Sequence, residues 1–493
     1  MSTDINTTCA HWNIDFDEHN IAWLHLDMAG SKVNLLASTV LEEFRGILDE
    51  LTKDLPQAVI IYSGKKGSFI FGADINEFLE FDDISQSQPF INRGHEIMDK
   101  LEALPCPTVS MVNGMCLGGG MELSLACDYI VAADNSSTRL GLPEIKLGIH
   151  PGYGGTARSI QRCGPLPAMD IMLTGRALPS RTAKKIGLID ECVPERQLKH
   201  AAVSYALEAP RRKRPPFVQR LLNNRILRPL VAQQMRKQVS RKAKQAHYPA
   251  PYNLIDIWQR YADDPKRMLR EEAISVAKLA TTETARNLLR VYFLQDKLKS
   301  QGKKVKFKPS HVHVIGGGIM GGDIASWCAI QGYNVTVQDQ EPSRLAQTFK
   351  RAHASFRKKY KRDRRAIAAA GDRLMPDHKG LGVSRADIII EAIFEDVDVK
   401  RTLYQDIEPR MKPDAILATN TSSIKLEDLS SSLNKPGRLV GLHFFNPVAM
   451  MPLVEIIRGN ETDEDVVQKA LAFGRGISKL PLAVKSSPGF LVN

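Results

Sequence analysis

The stretch that most restricts the fold lies past the middle of the chain. His311-Val312-His313-Val314-Ile315 reads as a strand, and Gly316-Gly317-Gly318-Ile319-Met320-Gly321 follows it directly. A helical run to Ile330 comes next, then a second strand, Asn334 to Gln338, closed by Asp339, 23 positions after the first of these glycines. A strand, a tight glycine turn, a helix and a strand within about thirty residues make the βαβ unit of a Rossmann dinucleotide-binding fold. Gly316 permits the tight turn, Gly318 lets a pyrophosphate approach, and Gly321 allows the helix to pack close to the strand. Asp339 would accept ribose hydroxyls and repel a 2′-phosphate, so the expected cofactor is NAD rather than NADP.

One such domain accounts for only part of 493 residues, a length that exceeds what a single core usually organises. The first ~190 residues alternate strand-like runs (Ile21–Leu26, Ala58–Tyr62, Pro107–Val112) with helical ones, such as Ser38–Leu51 and the stretch reaching Cys127. That alternation predicts an α/β layer architecture. From about Glu195 to Gly302 the pattern changes to charged helical segments, with Ile274–Lys299 the clearest. The expected organisation is an α/β domain over 1–194, a helical linker over 195–309, and the Rossmann domain over 310–493.

Composition narrows the function classes. With 43% hydrophobic and 25% charged residues the chain is an ordinary globular protein. No run of about 18 uninterrupted apolar residues predicts a membrane-spanning helix, and Met1–Asp15 has no secretory pattern. The seven cysteines show no CxxC spacing, so neither a disulfide framework nor a metal site is expected. The net charge of +12 is concentrated at Arg211–Arg214, Arg236–Lys244 and Arg357–Arg365. No nucleic-acid-binding module accompanies these runs, so they are read as solvated helix faces.

Three N-terminal segments carry chemistry together: Phe71-Gly72-Ala73-Asp74-Ile75, Gly118-Gly119-Gly120-Met121-Glu122, and Pro143-Glu144-Ile145 leading to Pro151-Gly152-Tyr153-Gly154-Gly155-Thr156. The triple glycine lies at a strand-to-helix junction, where peptide N–H groups lack helical partners and face the positive end of the helix dipole. A thioester carbonyl placed there would be polarised and its enolate stabilised. The N–H of Ala73, in another glycine turn, is the candidate second donor. Glu122, one turn into the helix, and Glu144 would hold a water between them and divide acid and base work. Taken singly, each of these features is more often a tight turn or a surface glutamate; together they are specific.

These segments resemble the crotonase family of enoyl-CoA hydratases and isomerases, from about Ile21 to Val193, including the helical stretches Met172–Gly175 and Gly187–Asp190. The resemblance implies that Ala73 and Gly119 donate to the thioester oxygen and that Glu122 and Glu144 are the catalytic acids. Both acids are present, which implies hydration. His150, where the family has an apolar residue, is read as structural.

A second constellation follows the glycine-rich turn. Leu442-His443-Phe444-Phe445-Asn446-Pro447 sets a histidine among apolar neighbours, and Glu455 lies twelve residues on, within Leu453–Ile457. Ala386–Ala392, Ala415–Asn420 and Leu439–Phe445 are further expected strands. A carboxylate against an imidazole fixes its tautomer and raises its basicity, which suits it to take a hydroxyl proton. The region Val312–Asn493 resembles the NAD-binding domain of 3-hydroxyacyl-CoA dehydrogenases. The resemblance rests on Glu391-Ala392-Ile393-Phe394-Glu395, Asn420-Thr421-Ser422-Ser423, the His443 segment and Ser487–Asn493. It implies His443 as base, Glu455 as its partner, and Ser422 and Asn493 as substrate-orienting groups. Glu395 and Lys400 would contact NAD, and Met320 and Asn420 are expected beside it.

The order of hydratase, helical segment and dehydrogenase resembles the α-subunits of fatty-acid oxidation complexes. It implies acyl-CoA thioester substrates and a thiolase β-subunit as partner; with no Arg/Ser-rich, acid-poor transit pattern, the expected setting is the bacterial cytoplasm rather than a mitochondrial matrix. The dehydrogenase family continues with a helical domain beyond the position of Asn493, so weak oxidation of 3-hydroxyacyl-CoA is expected from this chain as it stands. Two rival readings are a hydratase or isomerase whose second half only binds NAD, and a non-catalytic acyl-CoA- or NAD-binding scaffold.

Overall fold

Short apolar runs become the central strands, because parallel strands covered on both faces are buried along their whole length. A computed structural model describes residues 9–493, so the first eight residues, part of the segment read as lacking a secretory pattern, lie outside the described residues. The chain divides between Tyr292 and Phe293 into two compact units.

The first unit opens with β1 (Trp12–Phe16), β2 (Ile21–Leu26), β3 (Ala58–Ser63) and β4 (Ser68–Ile70). β5 (Thr108–Val112), β6 (Met115–Leu117) and β7 (Tyr129–Ala133) follow. The last are β8 (Arg139–Gly141), β9 (Leu178–Pro179) and β10 (Glu191–Val193). Among the described residues these form a six-stranded sheet, β1-β2-β3-β5-β7-β10, and a four-stranded one, β4-β6-β8-β9. Apart from the antiparallel β1–β2 and β8–β9 pairs, neighbours run parallel. The Ser38–Lys53 helix buries Val40, Leu41, Phe44, Ile47, Leu48 and Leu51, the i, i+3, i+4 stripe that its sequence sets out.

Helices after residue 198 continue this unit. Ala232, Leu254, Trp258, Val276 and Leu289 belong to the same core as Val40 and Phe44. Ile274–Lys299, expected as one helix, is divided between Pro265–Ala280 and Glu283–Ser300. The break has a local cause: the Thr282 hydroxyl donates to the Leu279 carbonyl (2.6 Å) and accepts from the Ala285 N–H (3.2 Å), so it closes one helix and caps the next. Met172–Thr174 ends the helix Pro165–Thr174. Gly187–Asp190, expected as helical, is instead a turn after the Ser180–Lys185 helix, with Gly187 at φ +82°.

The second unit contains β11 (His311–Ile315), β12 (Asn334–Gln338), β13 (Leu374–Pro376), β14 (Ile388–Glu391) and β15 (Ile416–Thr419). β16 (Leu439–Phe444), β17 (Leu453–Arg458) and β18 (Leu480–Lys485) complete it. The order β13-β12-β11-β14-β15-β16-β17-β18 begins with the 3-2-1-4-5-6 arrangement of a Rossmann sheet. β17 pairs antiparallel with β16, and β18 lies parallel to β17. One core, around Val312, Ile390 and Phe356, covers one face, and another, around Ile389, Leu417 and Tyr404, covers the other.

In the first unit the Gly119–Ala126 helix sits so close to β4 that a Cβ on Gly120 would lie 2.3 Å from the Ile70 carbonyl oxygen. Backbone cannot move aside as a side chain can. Gly120→Ala should therefore destabilise the first unit by about 1–3 kcal/mol, read as an earlier urea transition. An unchanged midpoint would show that the contact relaxes without cost.

Candidate active sites

The first site begins where β6 ends. Gly118, at φ +52°, turns the chain into the Gly119–Ala126 helix, whose first N–H groups have no acceptor within the helix. The turn at Gly72, φ +115°, brings Ala73 alongside: a Cβ on Gly119 would lie 3.3 Å from the Ala73 nitrogen, and one on Gly72 3.3 Å from the Gly119 nitrogen. The neighbouring Leu36 N–H donates to the Gly72 carbonyl (2.8 Å), which leaves the Ala73 N–H out of that pairing. Two peptide donors thus stand side by side in a spot too tight for side chains.

Glu122 emerges one turn into this helix and is 2% exposed. Its Oε1 accepts from the N–H groups of Tyr153 (2.7 Å) and Gly155 (2.9 Å). Burial raises its pKa to about 7, opposed by those N–H groups and by the Arg158 charge. Glu144 opens the short turn Glu144–Leu147, and among the described residues neither of its buried carboxyl oxygens has a hydrogen-bond partner. A Cβ on Gly118 would come within 3.2 Å of its Oε1, so the carboxyl lies against the glycine turn. Burial first, then the Glu122 charge, holds Glu144 well above the usual carboxylate range. Two desolvated acids beside two unengaged N–H donors form a site able to move protons near neutral pH.

A third carboxylate, Glu272 of the Pro265–Ala280 helix, is fully buried against the same turn. It accepts from the N–H groups of Gly154 (2.6 Å) and Thr156 (3.1 Å) and from the Thr156 hydroxyl. Burial, then the Glu122 charge, raises it to about 8. Its sequence signal was present but undecoded: Met268, Glu272, Val276 and Ala280 form an i, i+4 row, all buried, with one charge among apolar residues. His150 is buried too, its Nδ1 at 2.8 Å from the Pro151 carbonyl and its Nε2 at 2.8 Å from Ser275 Oγ, and burial lowers its pKa to about 4. A very small apolar cavity is bounded by Ile75, Phe78, Leu147 and Ile149, and by Ala280, Ala285 and Leu289 from the later helices.

In the second unit the glycine-rich turn joins β11 to the Ile319–Ile330 helix. A Cβ on Gly321 would lie 2.0 Å from the Gly316 carbonyl oxygen, the close helix–strand packing that residue permits. At Gly318 a Cβ would meet nothing within 4 Å, so that face of the turn is open. Met320, in the same first turn, is half-buried. Asp339 closes β12; its Oδ2 accepts from the Gly317 N–H (2.7 Å) and its Oδ1 from that of Glu341 (2.9 Å). An open glycine face with a carboxylate at its edge fits NAD and disfavours a 2′-phosphate. Arg351, which sequence reading passed over within a basic helix, reaches the turn and donates to the Gly318 carbonyl at 2.9 Å.

Lys400 is buried, with Nζ 2.7 Å from Glu391 Oε1 and 3.5 Å from Glu395 Oε2. Glu391 also accepts from Tyr404 and Thr419, each at 2.8 Å. Glu395 accepts from the N–H groups of Ser422 (2.8 Å) and Ser423 (3.1 Å), which ties the exposed Ser422 to the end of β14. Asn420 Oδ1 accepts from the Phe444 N–H at 2.9 Å, beside His443.

His443 and Glu455 are direct cross-strand neighbours of β16 and β17, with Nδ1 2.7 Å from Oε2 and both side chains buried. The other oxygen, Oε1, accepts from the N–H groups of Leu491 and Val492 at 3.1 Å each. Phe445, tilted, and Phe490, edge-on, flank the imidazole, with ring centroids at 4.6 and 5.6 Å. Asn493 itself is exposed and donates its N–H to the Gly489 carbonyl (3.2 Å).

A pair of acids beside peptide donors in one unit, and a His–Glu pair beside a dinucleotide turn in the other, define an enzyme of two consecutive chemistries. The enoyl-CoA hydratase/isomerase family profile matches residues 18–250, and that of the NAD-binding domain of 3-hydroxyacyl-CoA dehydrogenase matches 311–487. The chain is 35% identical over 500 aligned positions to the fatty acid oxidation complex subunit alpha of Aliivibrio fischeri, covering 99% of this chain and 72% of that protein. With the same subunit of Vibrio cholerae the identity is 34%, over 98% of this chain and 70% of that one. A solved structure, the (S)-3-hydroxybutyryl-CoA dehydrogenase of Ralstonia eutropha, is 34% identical with a TM-score of 0.37, covering 38% of this chain and 67% of that one. The chain belongs to the family of fatty acid oxidation complex α-subunits. It is a fatty-acid β-oxidation enzyme of acyl-CoA thioesters, with hydratase/isomerase and NAD-dependent 3-hydroxyacyl-CoA dehydrogenase domains. Among the described residues no helix is long and apolar enough to cross a membrane.

The raised pKa of Glu122 has a consequence for stability. An acid whose folded-state pKa lies above its unfolded value stabilises fully below the unfolded pKa and loses that contribution as pH rises through the folded one. Here the window runs from the ordinary value of 4.5 to about 7. Glu122→Gln keeps an oxygen for the Tyr153 and Gly155 N–H groups and cannot ionise. Its first unit should melt at a higher temperature than the unmodified protein at pH 8, with the difference narrowing at pH 5; a difference independent of pH would contradict the assignment.

Proposed function

We propose that Glu122 and Glu144 carry out the hydration of 2-enoyl-CoA, with the N–H groups of Ala73 and Gly119 holding the thioester oxygen. The observation that carries this reading is the Glu144 carboxyl, buried and without a partner beside Glu122. A buried polar group left unpaired costs roughly 1–3 kcal/mol, and substrate or water would relieve that cost. Water held by the two carboxyls adds its oxygen to C3 as one carboxylate takes its proton, and the other carboxyl delivers a proton to C2. Negative charge that gathers on the thioester oxygen meets the two N–H donors.

In the second unit His443 is the base for the 3-hydroxyl: Glu455 holds Nδ1–H, which leaves Nε2 free to accept the proton. NAD, when bound, supplies the hydride acceptor. Gly316, Gly318, Met320 and Gly321 would hold its pyrophosphate side and Asp339 its ribose. Glu395 and Asn420 would contact NAD, Lys400, buried with its Nζ on Glu391 and Glu395, would act on it through Glu395, and Ser422 and Asn493 would orient the substrate. The proposed division of labour is hydration in 1–194, a helical linker in 195–309 and NAD binding in 310–493. Because the relatives are named as subunits of a complex and are bacterial, a thiolase β-subunit is the proposed partner, and the cytoplasm the proposed compartment.

The test follows enoyl-thioester absorbance without NAD. Glu122→Gln and Glu144→Gln should each lower the hydration rate by about 10²–10⁴-fold with folding intact. Near-normal turnover in either would remove that residue from the mechanism. For the cofactor, fluorescence titration should show NAD binding more tightly than NADP, and Asp339→Ala should narrow the gap; equal binding by the unmodified protein would overturn the role of Asp339.

A further inference from the structure

Alternate N–H groups in the turn that opens the Gly155–Cys163 helix point to two different carboxylates. Those of Tyr153 and Gly155 donate to Glu122. Those of Gly154 and Thr156 donate to the two oxygens of Glu272, at 2.6 and 3.1 Å, and the Thr156 hydroxyl adds a third donor. Gly154 stands at φ +98°, so this turn has a shape that few residues hold unaided. Arg158 grips it from the other side: its Nη1 donates to the Tyr153 carbonyl at 2.9 Å.

Glu272 occupies a position where an apolar residue would continue the Met268–Val276 row and avoid desolvating a carboxyl. Its one ion-pair neighbour among the described residues is His95 of the Ile84–Glu102 helix, 3.5 Å away, which burial drives down to a pKa of about 3 and so leaves neutral. With no cation to answer it, the carboxyl is held by the turn and in return holds the turn.

We propose that Glu272 is a positioning residue for hydration, one that fixes the Tyr153–Thr156 turn so that its remaining N–H groups hold the Glu122 carboxyl in the orientation that proton transfer needs. The proposal rests on the reading of Glu122 and Glu144 as the acid–base pair. It makes the helix beyond residue 265 part of the hydratase machinery, although no atom of Glu272 need touch substrate. Glu272 also faces the pair electrostatically: its charge is among the causes that raise Glu144. The other titratable groups around it are Glu122, His95, Arg158 and, one turn away through Ser275, His150.

The test is steady-state hydration by the full chain carrying Glu272→Gln or Thr156→Val, beside Glu122→Gln and Glu144→Gln. A glutamine has one acceptor oxygen, so its NH2 must meet the N–H of either Gly154 or Thr156, donor against donor. Displacements of about 1 Å near a reacting centre cost on the order of 10²-fold, so kcat should fall about 10- to 100-fold with KM little changed. The alkaline limb of the kcat–pH profile should move to lower pH, because a charge that raised Glu144 is gone. Thr156→Val, which removes only the hydroxyl donor, should lower kcat in the same direction by less. A wild-type kcat and pH profile in folded Glu272→Gln overturns the proposal, as does a loss seen only in KM. If Glu272→Gln does not fold, an unchanged kcat in Thr156→Val overturns it. Full activity in Glu122→Gln or Glu144→Gln would instead defeat the acid–base reading, an outcome separable from any result at Glu272.

Discussion

Taking a carboxylate out of water costs several kcal/mol unless donors replace its lost hydration, and both units of this chain answer that cost mostly with the peptide backbone. Glu122 and Glu272 share the N–H groups of a single four-residue turn. Asp339 takes the N–H of Gly317 at the dinucleotide turn, and Glu455 takes those of Leu491 and Val492 while its other oxygen holds His443. Glu391 is satisfied by Lys400, Tyr404, Thr419 and the Ile393 N–H. Because each acid is tied to main chain, its position is set by the course of the strands and helices, and loosening any of these elements disturbs a carboxyl. Glu144 stands apart: its oxygens are buried and given no partner among the described residues, a condition that suits a group kept in reserve for a reactant.

The same rule of placement serves both chemistries. In the first unit the glycine turn follows the carboxyl end of β6; in the second, the dinucleotide turn follows β11 and the segment Asn420–Ser423 follows β15. Parallel strands deliver their ends to one edge of a sheet, where loops carry no ladder hydrogen bonds and peptide donors are free to face a ligand.

Much of this was legible in order along the chain. The Rossmann unit was readable because strand, glycines, helix and acid are contiguous, and each glycine answers a local steric demand. Glu122 and Glu144 were readable because one follows a glycine-rich junction and the other a proline turn. Glu272 was not, since its partners lie more than a hundred residues earlier and nothing in 265–280 states which surface that helix covers. Only the buried i, i+4 row hinted that a charge had been placed inward. The break at Thr281–Thr282 escaped for the opposite reason: the apolar spacing continues across it, while a single hydroxyl redirects the backbone. Arg351 was lost among many exposed cations because charge runs do not reveal which member turns inward.

The His443–Glu455 pair sits at matching rungs of an antiparallel ladder, and the chain between them, residues 445–452, lies outside that ladder. Relatedness of the two groups is thus a property of strand registry, not of the spacing of twelve residues in the sequence. An extra residue inserted in that crossing can bulge outward and leave the imidazole and carboxylate in step. A deletion within either strand would turn one of them to the opposite face of the sheet. Residues 446–452 are therefore where this enzyme can be remodelled, by drift or by design, as long as Phe445 keeps its place against the imidazole of the base.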